Sequence, residues 1–375
     1  MKFAGISGLR GLAMITIIAY HLNQIRPIQN LALWDWKLYQ FVSLLPVVVS
    51  IFFILSGLLR SLSYWKVIFE DGEIPPFWKG VKDRFFRIAP LFYLALFVSF
   101  LWSLSQGVAD WKSFFVGFTF FSWVHPSTFF PVPQNGPLWF VVYDMMGNLT
   151  VMLFMMILIS SIRRVPLRKF WIIVAYFLIG FTILLGLHEV FIYLPFPKLE
   201  GIVSVWFPYY NPFIFGVYYL FGALLGGLVL SLGRRKIMPH GVFDILFLIS
   251  MCSIGYILSF LRGAGDLAYS FPVSPFRFPL IPFLFGVGIF FLLFSKYLSK
   301  WMDNRLFLYI GKISYPLYLF HALVLVMIQK FFFSAGFHSF YEWCLFSSMT
   351  IIVSILLSSL LLRLEEYFHK KYLTK

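Results

Sequence analysis

Two ionisable residues share one face of the first apolar stretch. Arg10 and His21 lie eleven positions apart. As a helix that is about three turns and about 16 Å of rise, so both side chains fall on one stripe. A guanidinium carries a permanent charge suited to an anionic group. An imidazole takes or gives a proton near neutrality, or carries a group covalently. Ser56 and Arg60 stand at i and i+4 on a second helical face, beside Gly57, which permits close helix approach. Arg84 and Arg87 stand at i and i+3 at a third helix start, and two planar, charged forks side by side suit phosphate. Asp144 follows the segment Gly136-Pro137-Leu138-Trp139-Phe140. A carboxylate there needs a partner, and His21 is at compatible depth. Tyr315, Tyr318 and His321 step by three along one polar-tipped stripe. Each of these admits a structural alternative: a snorkelling Arg10, a His21 bonded to a neighbour, topogenic arginines, an Asp144 bonded to Asn148 or to backbone, an aromatic interface belt.

Composition says what must position these groups. The chain has 375 residues, 61% hydrophobic, 22% aromatic and 12% charged. Ordinary globular domains are about 45–50% apolar and about 25% charged. A soluble fold of this length has too little interior to hide so much apolar surface. That excludes a soluble enzyme, a disordered chain and a small secreted module, and it predicts an all-α polytopic membrane protein. Ten spans are expected, at 5–23, 41–59, 89–105, 138–160, 170–187, 212–232, 242–261, 277–295, 313–331 and 344–362. A short apolar run at 111–123, flanked by prolines, reads as a re-entrant or interfacial piece. Arg10 and His21 inside the first span, with no cleavage site after it, mark a mature helix rather than a signal peptide.

Lys and Arg number 30 against 15 Asp and Glu, a net charge of +15. With the N-terminus in the cytoplasm, 22 of the 30 basic residues fall on the inner side and seven on the outer, with Arg10 inside the first span. This is the positive-inside pattern of ten spans with both termini cytoplasmic. The basic balance therefore reflects orientation in a cell membrane, and no nucleic-acid partner is expected. Cys252 and Cys344 each sit in an apolar run and imply no disulfide framework, and no Cys/His cluster points to a metal.

Five pieces in this order resemble the acyltransferase 3 family of integral-membrane acyltransferases: Arg10 with His21; Ser56-Gly57 with Arg60; Arg84 with Arg87; Gly136-Pro137-Leu138-Trp139-Phe140; and Ser314-Tyr315-Pro316-Leu317-Tyr318-Leu319 with His321. Asp144 stands where many members carry a Glu, a shorter carboxylate with the same charge. The resemblance implies one membrane domain over residues 1–375, with no appended soluble domain. It implies a cytoplasmic acyl-CoA donor, most often acetyl-CoA, as co-substrate, and an acceptor hydroxyl on a cell-surface or lipid-linked glycan. On that basis Arg10, Ser56, Arg60, Arg84 and Arg87 are the expected donor-binding residues. His21 is the expected base or acyl carrier, with Asp144 orienting its ring, and Trp139, Tyr315, Tyr318 and His321 line the acceptor side. Membrane lipid and a homo-oligomeric contact complete the expected partners. Two other readings stay open: acylation of a lipid or secondary metabolite, and a multi-span transporter.

The orientation is testable with single cysteines in a chain lacking Cys252 and Cys344. Gln106→Cys is expected to react with a membrane-impermeant maleimide in intact cells, and Lys79→Cys only after permeabilisation. The reverse pattern contradicts the charge map.

Overall fold

The computed structural model describes residues 4–25, 41–70, 73–162, 170–192, 211–234, 240–261 and 279–372. Of the basic residues that define the expected orientation, Arg26, Lys37, Lys198, Arg262 and Arg277 on the outer side lie outside the described residues. So do Lys2, Arg163, Arg164, Arg168, Lys169, Arg235, Lys236 and Lys375 on the inner side.

The described residues form helices and no strand: α1 (Ile6–Ile25), α2 (Val49–Glu70, entered by a 3-10 turn at Leu45–Val48), α3 (Phe77–Ser105), α4 (Trp111–Phe118), α5 (Trp139–Ile162, entered by a 3-10 turn at Pro133–Leu138), α6 (Phe170–Ile192), α7 (Pro212–Arg234), α8 (Gly241–Leu261), α9 (Leu280–Phe294), α10 (Leu298–Met302), α11 (Arg305–Phe332) and α12 (Phe340–Tyr372). Eight of them, α2, α3, α5, α6, α7, α8, α11 and α12, are long and apolar enough to cross a membrane. The chain is thus an all-α polytopic membrane protein. The 20 residues of α1 and the 15 of α9 occupy the places of the other two expected spans. At about 1.5 Å per residue α9 rises about 22 Å, less than a bilayer core of about 30 Å.

Several helices run past their apolar stretches, α11 starting at Arg305 and α12 ending at Tyr372 among them. The expected loop at 60–88 is mostly helix, because α2 continues to Glu70 and α3 begins at Phe77. Ser61, Tyr64, Trp65 and Phe69 keep α2 going by burying themselves. Trp65 Nε1 donates to the Ala223 carbonyl at 2.7 Å, and Ser61 Oγ donates to the same oxygen at 3.2 Å. Arg60 and Arg84 both stand well inside helices, Arg60 in α2 and Arg84 in α3. The run expected at 111–123 forms the short helix α4, capped by Asp110, which accepts from the Ser113 amide at 3.1 Å. Its Phe114 ring stacks on Phe100 of α3 at 4.1 Å, while Trp111, Phe115 and Phe118 are exposed.

The most extensive packing joins α2 to α7 and α1 to α11. Both pairs meet backbone to backbone. A Cβ at Gly57 or Gly222 would come within 3.0 Å of the carbonyl of Tyr219 or Ile54 across the α2–α7 contact. One at Gly11 or Gly311 would meet the carbonyl of Phe307 or Ser7 across the α1–α11 contact in the same way. Close approach of this kind is the membrane use of small residues. The segment before α5 is pinned from inside: the Asn135 amide donates to Ser99 Oγ at 3.0 Å and to the Leu319 carbonyl at 2.8 Å. That tie fixes where α5, with Trp139 and Asp144, begins.

Gly57→Ala and Gly311→Ala are each expected to cost about 1–3 kcal/mol, because the obstacle is backbone that cannot rotate away. Gly186→Ala, with nothing within 4 Å of the new carbon, is the control and leaves stability unchanged or higher. Thermal unfolding in detergent distinguishes the three.

Candidate active site

Around α1, α2, α3, α5, α11 and α12 the packing leaves a cavity of about 750 Å³. Five basic side chains line it, Arg10, Arg60, Arg84, Arg87 and Lys312, against two acidic ones, Asp144 and Glu365. All five residues expected to bind the donor reach this wall, Ser56 included. A concentration of permanent positive charge in a partly enclosed cleft focuses the field on an anion.

Three of the four arginines are individually held. Arg84 Nη2 forms an ion pair with Asp144 Oδ2. Asp144, 6% exposed, also accepts on Oδ1 from Ser56 Oγ at 3.1 Å, from Tyr219 OH at 2.7 Å and from the Asn148 amide at 3.2 Å. Arg60 Nε donates to Asn148 Oδ1 at 3.3 Å, and Arg10 Nη2 to Ser314 Oγ at 3.4 Å. Arg84 Nε is buried without a partner, and Arg87 is exposed on the cavity wall. Donors fixed in this way are preorganised for a polyanion.

His21 stands elsewhere, about three turns further along α1, against a second cavity of about 370 Å³. Tyr20, Gln24, Trp139 and Tyr318 share its wall with mostly apolar neighbours. The His21 Nδ1 atom is 2.9 Å from Gln24 Oε1. A carbonyl oxygen only accepts, so Nδ1 carries the proton and Nε2 keeps its lone pair. The Gln24 amide in turn donates to Tyr20 OH. Beside the ring lies His321, with ring centroids 5.0 Å apart. His321 is fully buried and lines neither cavity. Tyr318 lines both cavities, and its ring sits 4.7 Å from that of Phe140. These two side chains form the partition between the basic cavity and His21.

Two expected placements are corrected. Asp144 does not reach His21. Buried among cations, a carboxylate pairs with the permanent charge of Arg84 rather than with a neutral imidazole. Its open alternative, a bond to Asn148, is present. Tyr315 belongs to the basic cavity, where its hydroxyl donates to the Ile88 carbonyl at 2.6 Å. Residues six apart on a helix differ by about 120° around the axis, so Tyr315 and His321 face different ways. Trp139 and Tyr318 lie at the His21 cavity, and His321 packs against the His21 ring. Tyr219, Lys312 and Gln24 were not singled out in the sequence. Tyr219 carries no signal there, being one aromatic in an aromatic-rich span.

The acyltransferase domain model Acyl_transf_3 matches residues 3–359. The chain belongs to the acyltransferase 3 family. No curated protein and no solved structure matches it. For this membrane acyltransferase the five sequence pieces converge on two adjoining cavities, and each of them contributes at least one residue to the basic one.

Removing one member of the buried pair leaves the other charge uncompensated. Asp144→Ala is expected to destabilise the protein by about 3–5 kcal/mol. Arg84→Met combined with Asp144→Leu is expected to recover most of that loss. Thermal unfolding of Arg84→Met, Asp144→Leu and the double variant checks this, and additive losses contradict the pairing.

Proposed function

We propose that this membrane acyltransferase takes an acyl group, acetyl in the simplest case, from cytoplasmic acyl-CoA. It transfers that group across the membrane to a hydroxyl of a cell-surface or lipid-linked glycan. The observation that carries the reading is Tyr318, a single side chain shared by the wall of a cation-lined cavity and the wall of the His21 cavity. The phosphates of CoA sit with Arg10, Arg60, Arg84 and Arg87, at the end of the bundle where the basic residues predict the cytoplasm. The narrow pantetheine arm points past Tyr318 and Phe140 and presents the thioester to His21. His21 Nε2 takes the proton of the acceptor hydroxyl, the hydroxyl oxygen attacks the thioester carbon, and the carbon–sulfur bond breaks. The proton then returns to the departing thiolate, so CoA leaves as the thiol.

Asp144 has no step in this chemistry. Its role is to hold Arg84 in the donor cavity. The largely apolar wall of the His21 cavity, with Ile17, Val49, Leu325 and Val326, favours a second reading of the acceptor: a lipid or apolar metabolite bearing the hydroxyl.

The test is mass spectrometry of surface glycan from a deletion strain carrying each variant at equal membrane level. His21→Ala is expected to lower acylation at least about 100-fold. Arg87→Ala, which leaves the buried ion pair intact, is expected to raise the acyl-CoA concentration needed for half-maximal transfer about tenfold. Normal acylation by His21→Ala overturns the proposal. An acylated lipid with unmodified glycan selects the second acceptor.

A further inference from the structure

The second imidazole has no role in the steps above. His321 Nδ1 donates to the Tyr318 carbonyl at 2.8 Å and lies 3.2 Å from the Leu317 carbonyl. Both oxygens only accept, so the ring is locked as the Nδ1–H tautomer. Its Nε2 therefore bears a lone pair, and that atom is buried with no hydrogen-bond partner. Buried polar atoms are nearly always paired, so a bare acceptor in a tightly packed region calls for a partner that arrives later. The neighbour is the His21 ring, which is itself fixed with Nδ1–H towards Gln24 and a lone pair on Nε2. The two imidazoles thus lie with ring centroids 5.0 Å apart, each with its Nδ1 proton turned onto a carbonyl and its ε nitrogen bare.

We propose that His321 is the positioning partner of His21: its bare Nε2 receives the proton that His21 draws from the acceptor hydroxyl, so that the two rings act as one base. This rests on the reading of His21 as that base. The oxygen–hydrogen bond of the acceptor breaks and an N–H bond forms at His21 Nε2. The oxygen attacks the thioester carbon and the carbon–sulfur bond breaks, leaving the thiolate. The proton passes to His321 Nε2 while the thiolate separates, then returns through His21 to sulfur, so that no net proton is gained or lost. His321 lines neither cavity and acts through His21 alone. The titratable groups facing the pair are Tyr20 from α1 and Tyr318 from α11. Gln24, Gln134 and Trp139 are neutral, and the turn before α2 and α2 itself present Pro46 and Val49.

The full chain in lipid nanodiscs, with ¹⁵N-labelled histidine, reports the pair directly, with the proton itself as probe. In the wild type the Nε2 signals of His21 and His321 are expected to move together through the same macroscopic steps, as coupled sites do. His321→Asn retains an amide donor for the Tyr318 and Leu317 carbonyls and removes the ε acceptor, which keeps the fold testable. His321→Gln supplies an ε acceptor that holds no proton. In both variants His21 is expected to titrate at a midpoint displaced by about one pH unit or more. Glycan acylation by both is expected to fall at least about tenfold in turnover, with the acyl-CoA concentration for half-maximal transfer unchanged. An unmoved His21 midpoint in both variants overturns the proposal. So does a wild-type pair that takes up no proton between about pH 4 and pH 9, or full turnover in His321→Gln. The titration needs no substrate. If wild-type protein acylates nothing, the transfer reading fails while the imidazole pair is still judged on its own.

Discussion

A carboxylate and a guanidinium buried in an apolar bundle are each too costly to stand alone, and their pairing organises the structure around them. Arg84 comes from α3 and Asp144 from α5. Ser56 of α2 and Tyr219 of α7 complete the coordination of the carboxylate. Four helices distant in sequence are thereby tied at one point. Asn148 extends the network to Arg60. The remaining arginines of the cavity are left in excess over acid, and this excess is the electrostatic basis of donor binding in the proposed function. A surface salt bridge such as Lys312 with Glu366, both about half exposed, contributes little by comparison.

The second constraint is steric. The α2–α7 and α1–α11 pairs approach so closely that glycine is required at the contacts. Tyr219 shows how packing and chemistry meet. Its carbonyl abuts Gly57 and its ring abuts Gly147, while its hydroxyl reaches Asp144. On the other side, the glycine seam of α1 and α11 sets Arg10 beside Ser314 and His21 beside His321. One helix pair thus contributes to both cavities at two depths, joined by Tyr318.

Much of this was legible in the sequence, for identifiable reasons. The spans follow from apolar length, and the grouping of Ser56 with Arg10, Arg60, Arg84 and Arg87 was implied by the family resemblance, with four permanent charges that an apolar bundle must gather somewhere polar. What periodicity along a single helix does not contain is the identity of the neighbour across the gap. Depth alone made His21 a fitting partner for Asp144, yet the side chain across the gap is Arg84. A step of three residues drifts around the helix, so Tyr315 and His321 parted company. The end of α2 was misjudged because Trp65 and Ser61 find a carbonyl on α7. That tertiary bond leaves no mark on hydropathy.

The central claim is that a donor bound at the basic cavity acylates a hydroxyl delivered to the other cavity, across the membrane. The direct measurement uses sealed membrane vesicles of known orientation that carry the native surface glycan, with radiolabelled acetyl-CoA supplied to one face at a time. The account predicts label in the glycan only when the donor is on the face that exposes Lys79, with the glycan on the opposite face. Label that requires donor and glycan on the same face contradicts it.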